Sequence, residues 1–301
     1  MRERFDFDLD VSGTPFSRAV RVAGAPGGEA FLLIQDAVTI LFDSGYGCSG
    51  ERMAEQIAEA LGDRTLDYVL LSHSHYDHAL GSTYCRARWP GVKIVASSYA
   101  AKIFAKPGAR ETMREMDRSA AKMYGIREWT DRIEELRVDI PAEDGQELSL
   151  GGIRVQVTAL PGHTRCSVGY WFPDCGLLMA SESLGVYEGG SLVMPSWLVG
   201  YEMTRDSIAR ARALAPRHLL IPHNGFLHGA DCQAYLEQGE AWSEYGKELI
   251  REECRKGKTD EEICRLWKRI FYEGRERKVQ PEAAFDLNTG YQVALIRREC
   301  L

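Results

Sequence analysis

Leu70-Leu71-Ser72-His73-Ser74-His75-Tyr76-Asp77-His78 is the stretch on which the fold turns. The apolar run at 66–71 has strand character and leads straight into it. In extended backbone, residues two apart point to the same side. His73 and His75 are therefore placed to grip one metal ion. Asp77 and His78 follow a turn of the chain and are placed to face a second ion beside the first. Burying four such polar groups is unfavourable, and packing alone gives no reason to gather them at a strand end.

Two other segments repeat the design. Leu160-Pro161-Gly162-His163-Thr164 follows a β-patterned run, and its proline and glycine set a tight turn. Leu219-Leu220-Ile221-Pro222-His223-Asn224-Gly225 again runs strand, proline, histidine, glycine. Together the three segments hold five of the seven histidines. Two dications held close together repel, so a two-metal site needs an anion between them. Glu182, just past the strand-like run at 176–180, is the candidate. His218 and His228 flank the third segment and are expected to be structural or solvent-exposed, with His228 a minor candidate for substrate contact.

Taken in this order, the motifs resemble those of the metallo-β-lactamase superfamily, over roughly residues 16–229. The resemblance rests on Leu41-Phe42-Asp43-Ser44-Gly45, on His73-x-His75-x-Asp77-His78, and on Pro161-Gly162-His163-Thr164 with Ser167 behind it. The Glu182 segment and Pro222-His223-Asn224-Gly225 complete it. It implies an α+β fold, an αββα sandwich with metals at one edge of its two sheets. It also implies that His73, His75 and His163 hold one ion, that Asp77, His78 and His223 hold the other, and that Glu182 bridges them. Most dinuclear members have aspartate at the bridging position, although glutamate occurs among alkylsulfatase-like members. The extra methylene moves the carboxylate inward or changes its rotamer, so metal spacing and second-ion affinity depend on it.

Imidazole and carboxylate ligands suit two divalent transition-metal ions, zinc first, with iron or manganese also compatible. The activity implied is hydrolysis of an ester, thioester or lactone of small to medium size by a metal-bound hydroxide. Asp77, beside the nucleophile, is the expected catalytic proton carrier. Tyr187, Met194, Trp197 and Phe226 are expected to wall a small-molecule substrate pocket. Rival functions are a regulatory protein that docks on a partner and a phosphodiesterase or sulfatase-type hydrolase. Diiron redox chemistry is disfavoured, because flavodiiron proteins have glutamate where this chain has His75 and carry a flavin domain.

The flanking sequence fills out the plan. Residues 30–35 and 38–42 read as a hairpin, 51–61 as an amphipathic helix, and 98–123 as one helix with a methionine and aromatic stripe. A helical cap insert is thus expected at 98–130, within a domain spanning 1–229. Helical patterns at 230–255, 259–272 and 283–298 give a C-terminal helical extension over 230–301. That tail, with Leu184-Gly185 after the bridging position, is loosely similar to quinolone-signalling thioesterases of the PqsE type. It also offers a surface for a homodimer.

Composition narrows the setting. The 301 residues are 45% hydrophobic and 27% charged, the profile of a globular chain with a core. A net charge of −7 disfavours nucleic-acid backbones. The basic clusters at 255–258 and 275–278 are broken by other residues and read as solvated helix ends. No run of 18 apolar residues occurs, and the N-terminus lacks an apolar signal core. A cytoplasmic location, no membrane contact and a substrate other than a β-lactam are therefore expected. The eight cysteines form no CxxC pair and are expected to be free thiols.

Overall fold

Near-continuous apolar strands, buried from both sides, set the layers of the molecule. A computed structural model describes residues 2–273 and 280–300; the basic cluster at 275–278 lies outside the described residues. The chain begins β1 (Arg18–Val22), β2 (Ala30–Gln35), β3 (Val38–Phe42), α1 (Gly50–Leu61), β4 (Tyr68–Leu70), α2 (Tyr76–Ala79) and α3 (Ser82–Arg88). It continues with β5 (Lys93–Ser97), α4 (Ser98–Phe104), α5 (Pro107–Met123), β6 (Ile140–Ala142), β7 (Glu147–Leu150), β8 (Ile153–Ala159), β9 (Val168–Phe172) and β10 (Leu177–Met179). It ends with β11 (Val186–Gly189), β12 (Leu192–Met194), α6 (Tyr201–Ala213), β13 (His218–Ile221), β14 (Gly225–His228), α7 (Ala230–Arg255), α8 (Asp260–Phe271) and α9 (Glu282–Cys300).

Two six-stranded sheets form, in the orders β1-β2-β3-β4-β5-β6 and β14-β13-β10-β9-β8-β7, with β11 and β12 pairing as a separate hairpin. Phe31, Leu33, Ile40 and Phe42 of the first sheet meet Val155, Val157, Tyr170, Phe172 and Met179 of the second in the central core. Leu32, Leu41, Val69 and Ile94 face the other way and are covered by Met53 and Ile57 of α1. On the outer face of the second sheet, Leu178 and Leu219 pack under Ile208 of α6 and under Cys232, Tyr235 and Leu236 of α7. This is an αββα sandwich, and such near-continuous apolar strands are what burial on both faces demands.

Topology gathers the exits of the key strands. β10 runs parallel to β13 and antiparallel to β9, which is antiparallel to β8. β8, β10 and β13 therefore share a direction, and the segments that follow them leave from the same edge. In the first sheet β3, β4 and β5 run parallel. The Tyr170 hydroxyl donates to the carbonyls of Leu71 and Val95, at 2.9 and 3.2 Å, and so ties the two sheets together beside the exit of β4.

The expected C-terminal extension is present as α7–α9, continuous with the sandwich. The first turns of α7 complete the outer layer. Its far end meets α8 and α9 in a second core built on Trp197, Ile250, Trp267, Phe271, Phe285 and Val293. The single helix expected over 98–123 is instead two. Pro107 opens α5, and Lys106 before it has φ −87° and ψ 122°, extended backbone of the kind favoured before a proline.

Asp117 fastens α5 to the molecule. It is 4% exposed, and its Oδ1 accepts the backbone N–H groups of Gly47 and Cys48 at 2.9 and 3.1 Å. Burial outweighs those bonds and lifts its pKa to about 6. A carboxyl raised above its unfolded value contributes stability that is complete below the unfolded pKa and lost as pH rises through the folded one. Wild-type protein should therefore gain about 1 kcal/mol relative to Asp117→Asn between pH 7 and pH 5. Denaturant unfolding of both at the two pH values reads this; identical pH dependence would mean that Asp117 titrates normally.

Candidate metal centre

His73, His75, Asp77 and His78 follow β4 as expected, but the strand stops at Leu70 and residues 72–74 form a bend. The histidines converge because the chain curves, and not because they alternate along a strand. Asp77 and His78 lie in the short helix α2, whose start at Tyr76 is the anticipated turn. His163 follows β8 on a turn where Gly162 has φ +136°. A Cβ on Gly162 would fall 2.1 Å from Thr204 Oγ1, so no larger residue fits there. Glu182 opens a 3-10 turn after β10. His223 sits between β13 and β14 with φ +64°, an uncommon conformation outside glycine that is held by the surrounding turn.

These seven side chains meet at one point. His73, His75, His163 and Glu182 form one potential metal-binding group, and Asp77, His78 and His223 another. Glu182 faces both. Its Oε2 lies 2.8 Å from His163 Nε2 and 3.8 Å from His73 Nε2. Its Oε1 lies 3.0 Å from His223 Nε2 and 3.8 Å from His78 Nε2. His75 Nδ1 is 2.9 Å from His163 Nε2, and Asp77 Oδ2 is 3.7 Å from His78 Nε2. The Nε2 atoms of His73 and His78 are buried without a hydrogen-bond partner. A buried polar atom with no partner is unfavourable, and here both point among other donors.

Burial and crowding shift the cluster in opposite directions, and against burial the surrounding carboxylates raise His78 above the usual histidine value. Burial, reinforced by neighbouring imidazoles, drives His73 and His75 far below the usual histidine range, toward the neutral form that binds metals. Burial would raise Glu182, but His163, His223 and His78 together hold it well below the ordinary carboxylate range. Burial raises Asp77, against the opposing pull of His78. For His223, hydrogen bonds to Glu182 and Glu29 overcome burial and raise it well above the usual value.

The outer nitrogens are anchored by groups that sequence reasoning did not single out as partners. His73 Nδ1 meets the Ser72 hydroxyl, His78 Nδ1 meets Asp43, His163 Nδ1 meets Ser196, and His223 Nδ1 meets Glu29. Such partners fix ring orientation and tautomer. Asp43 was part of a recognised motif, and its φ of +57° marks it as special only once the backbone is known. Nothing in the sequence around Glu29 or Ser196 signals a role.

A cavity of about 350 Å³ opens over the cluster. Met113 and Met116 of α5, Met194, and Phe285 and Asn288 of α9 are among the residues that line it. Of the four expected substrate residues, one lines the cavity and three need correction. Met194 lines the cavity. Trp197 is fully buried, 5.9 Å from the Trp267 ring, and serves the C-terminal core. Phe226 lies in the core between the sheets. Tyr187 packs on Phe5 and Phe7, with ring centroids at 5.7 and 5.1 Å, and anchors the N-terminal segment. His218 and His228 face each other across β13 and β14, with Nδ1 atoms 2.9 Å apart, and His228 also meets Asp8. Cys166 is a buried thiol bonded to Ser74, and Cys48, Cys85, Cys175, Cys232, Cys254 and Cys264 are likewise unpaired thiols.

Known proteins share the fold of this chain. A family model described as the metallo-beta-lactamase superfamily matches residues 24–210. The metallo-beta-lactamase fold-containing protein of Sulfurisphaera tokodaii is 24% identical over 220 residues, 69% of this chain and 77% of that protein. A hydroxyacylglutathione hydrolase of Brucella anthropi is 30% identical over 136 residues, 43% of this chain but only 40% of its own length. A solved metallo-beta-lactamase family protein of Thermus thermophilus superposes with a TM-score of 0.61 at 21% identity, covering 90% of this chain and 88% of that one. No helix of the described residues is long and apolar enough to cross a membrane.

Proposed function

The chain belongs to the metallo-beta-lactamase superfamily, and from that premise we propose that it hydrolyses esters or thioesters, lactones included, of small to medium size with an apolar acyl or aryl part. The observation that carries this reading is Glu182, which offers one carboxylate oxygen to each of two ligand trios. The trios are His73, His75 and His163, and Asp77, His78 and His223.

The donors suit a pair of divalent ions such as zinc, iron or manganese. Nitrogen ligands around tetrahedral zinc sit about 3.3 Å from one another, and the contacts to Glu182 span 2.8 to 3.8 Å. When bound, such ions supply Lewis acidity and bring the pKa of a water toward about 7. The protein's own residues do the rest. Glu182 stays ionised between the imidazoles. The Asp77 side chain is 20% exposed and borders the cavity, where it can orient the attacking water and carry a proton to the leaving alcohol or thiol. Met113, Met116 and Phe285 seat the apolar part of the substrate and exclude bulk water. The partial relatives that are hydroxyacylglutathione hydrolases favour the thioester. The acidic balance of the chain argues against a nucleic-acid phosphodiester.

Elemental analysis after growth and reconstitution with zinc, iron or manganese should find up to two ions per chain. The reconstituted protein should turn over an apolar thioester or ester faster than a phosphodiester or a sulfate ester. A protein that takes up no metal, or that prefers the phosphodiester, would refute the proposal.

A further inference from the structure

Behind the seven donors, the two trios are built from different chemistry. His73 Nδ1 meets the Ser72 hydroxyl at 2.9 Å, and His163 Nδ1 meets the Ser196 carbonyl at 2.7 Å and its hydroxyl at 2.8 Å. All of these partners are neutral. His78 Nδ1 instead meets Asp43 Oδ2 at 2.9 Å, and His223 Nδ1 meets Glu29 Oε2 at 3.3 Å. Asp43 and Glu29 are 1% and 5% exposed. The second trio also includes Asp77, whereas the first is made of imidazoles alone. Setting Glu182 aside as shared, three carboxylates stand in or directly behind the second position; among the described residues the first is approached only by Asp43, at one remove, through the Ser72 hydroxyl that separates it from His73.

That asymmetry has a physical consequence. A carboxylate that accepts Nδ1–H fixes the imidazole with its Nε2 lone pair toward the metal and makes it a stronger donor. Buried charges also act at low effective dielectric, so their attraction for a dication is screened far less than at the surface. Asp43 is held by the Ser72 N–H and hydroxyl, at 2.8 and 3.0 Å, as well as by His78. Glu29 directly precedes β2 and reaches His223 on the opposite sheet, 194 residues away in sequence. It therefore fixes a ligand whose own turn is in an uncommon backbone conformation.

We propose that Glu29 is a positioning residue for His223. Glu29 and Asp43 together make the Asp77–His78–His223 trio the tighter of the two positions for a divalent cation, so it fills first. This rests on the two-metal reading above and adds an order of filling to it.

Cobalt(II) is the probe, titrated into metal-stripped full-length protein against a competing chelator and followed by visible absorption. His163→Ala leaves the second trio whole, and His223→Ala leaves the first. The first equivalent should bind His163→Ala within about threefold of wild type and His223→Ala at least tenfold more weakly. Glu29→Gln should weaken that equivalent by about 10- to 100-fold in the wild-type and His163→Ala backgrounds and leave His223→Ala unchanged. Should Glu29→Gln fail to fold by circular dichroism, Glu29→Asp keeps the charge, shortens the reach and should weaken the same position alone. Wild-type affinity in His223→Ala would overturn the proposal, as would a Glu29 effect that is absent or equal at both positions. Absence of cobalt binding in every protein would overturn it together with the two-metal reading. Two bound ions filling in the reverse order would overturn the ordering alone.

Discussion

His73→Ala and His163→Ala should each lower turnover of the best ester or thioester by on the order of a thousandfold, with the protein still folded. Lewis-acid stabilisation by a bound ion supplies several kcal/mol, and about 4 kcal/mol is a thousandfold in rate. His73 and His163 each offer a nitrogen to the same trio, and His163 also lies 2.8 Å from the bridging carboxylate. Neither belongs to any of the apolar cores that hold the sandwich together. Unfolding free energies of the metal-free variants should therefore fall within about 1 kcal/mol of metal-free wild type. Replacing His218, which contacts His228 away from the centre, should leave turnover within about twofold. Single-substrate kinetics, metal content and circular dichroism on the same preparations separate these effects. Full activity in either of the first two variants would show that these histidines are not ligands.

The metal-binding edge was legible because its signals are local. Proline and glycine beside His163 and His223 fix turns within a few residues, and the β4 exit announces itself by an apolar run ending in histidines. Even there, alternation gave the wrong local cause for convergence, since the chain bends after Leu70. The cavity walls were less legible because they depend on distant partners. Trp197 looks like a pocket aromatic until Trp267, 70 residues on, is found packed against it. Phe226 sits on a strand whose facing direction is set by its pairing with β13. The methionine stripe of α5 pointed to a cap, but Phe285 and Asn288, which line the same cavity, come from the far end of the chain. Glu29 is the extreme case. A single glutamate in a glycine-rich turn carries no pattern, and its meaning appears only when the two sheets bring it against His223.

Glu182→Asp tests the bridge itself, and its expected cost is on the order of a hundredfold in rate. The charge is unchanged, so only reach is altered. In the structure the carboxylate spans the trios, with one oxygen 2.8 Å from His163 Nε2 and the other 3.0 Å from His223 Nε2. The imidazoles cannot follow a retreating carboxylate, because Ser196 and Glu29 hold their outer nitrogens and each sits on a constrained turn. Shortening the side chain by one methylene withdraws both oxygens together, by about one carbon–carbon bond of roughly 1.5 Å. The two ions must then separate differently, or the weaker one must leave. Metal stoichiometry at limiting metal should fall toward one per chain, and kcat should fall with it, whereas KM for an apolar substrate should change little because the apolar walls of Met113, Met116 and Phe285 are untouched. Excess metal should restore part of the rate if occupancy is the cause, and none of it if spacing is. Glu182→Ala should lose more than Glu182→Asp on every readout. Wild-type rate and stoichiometry in both variants would remove Glu182 from the centre and leave His73, His75 and His163 as a site for a single ion.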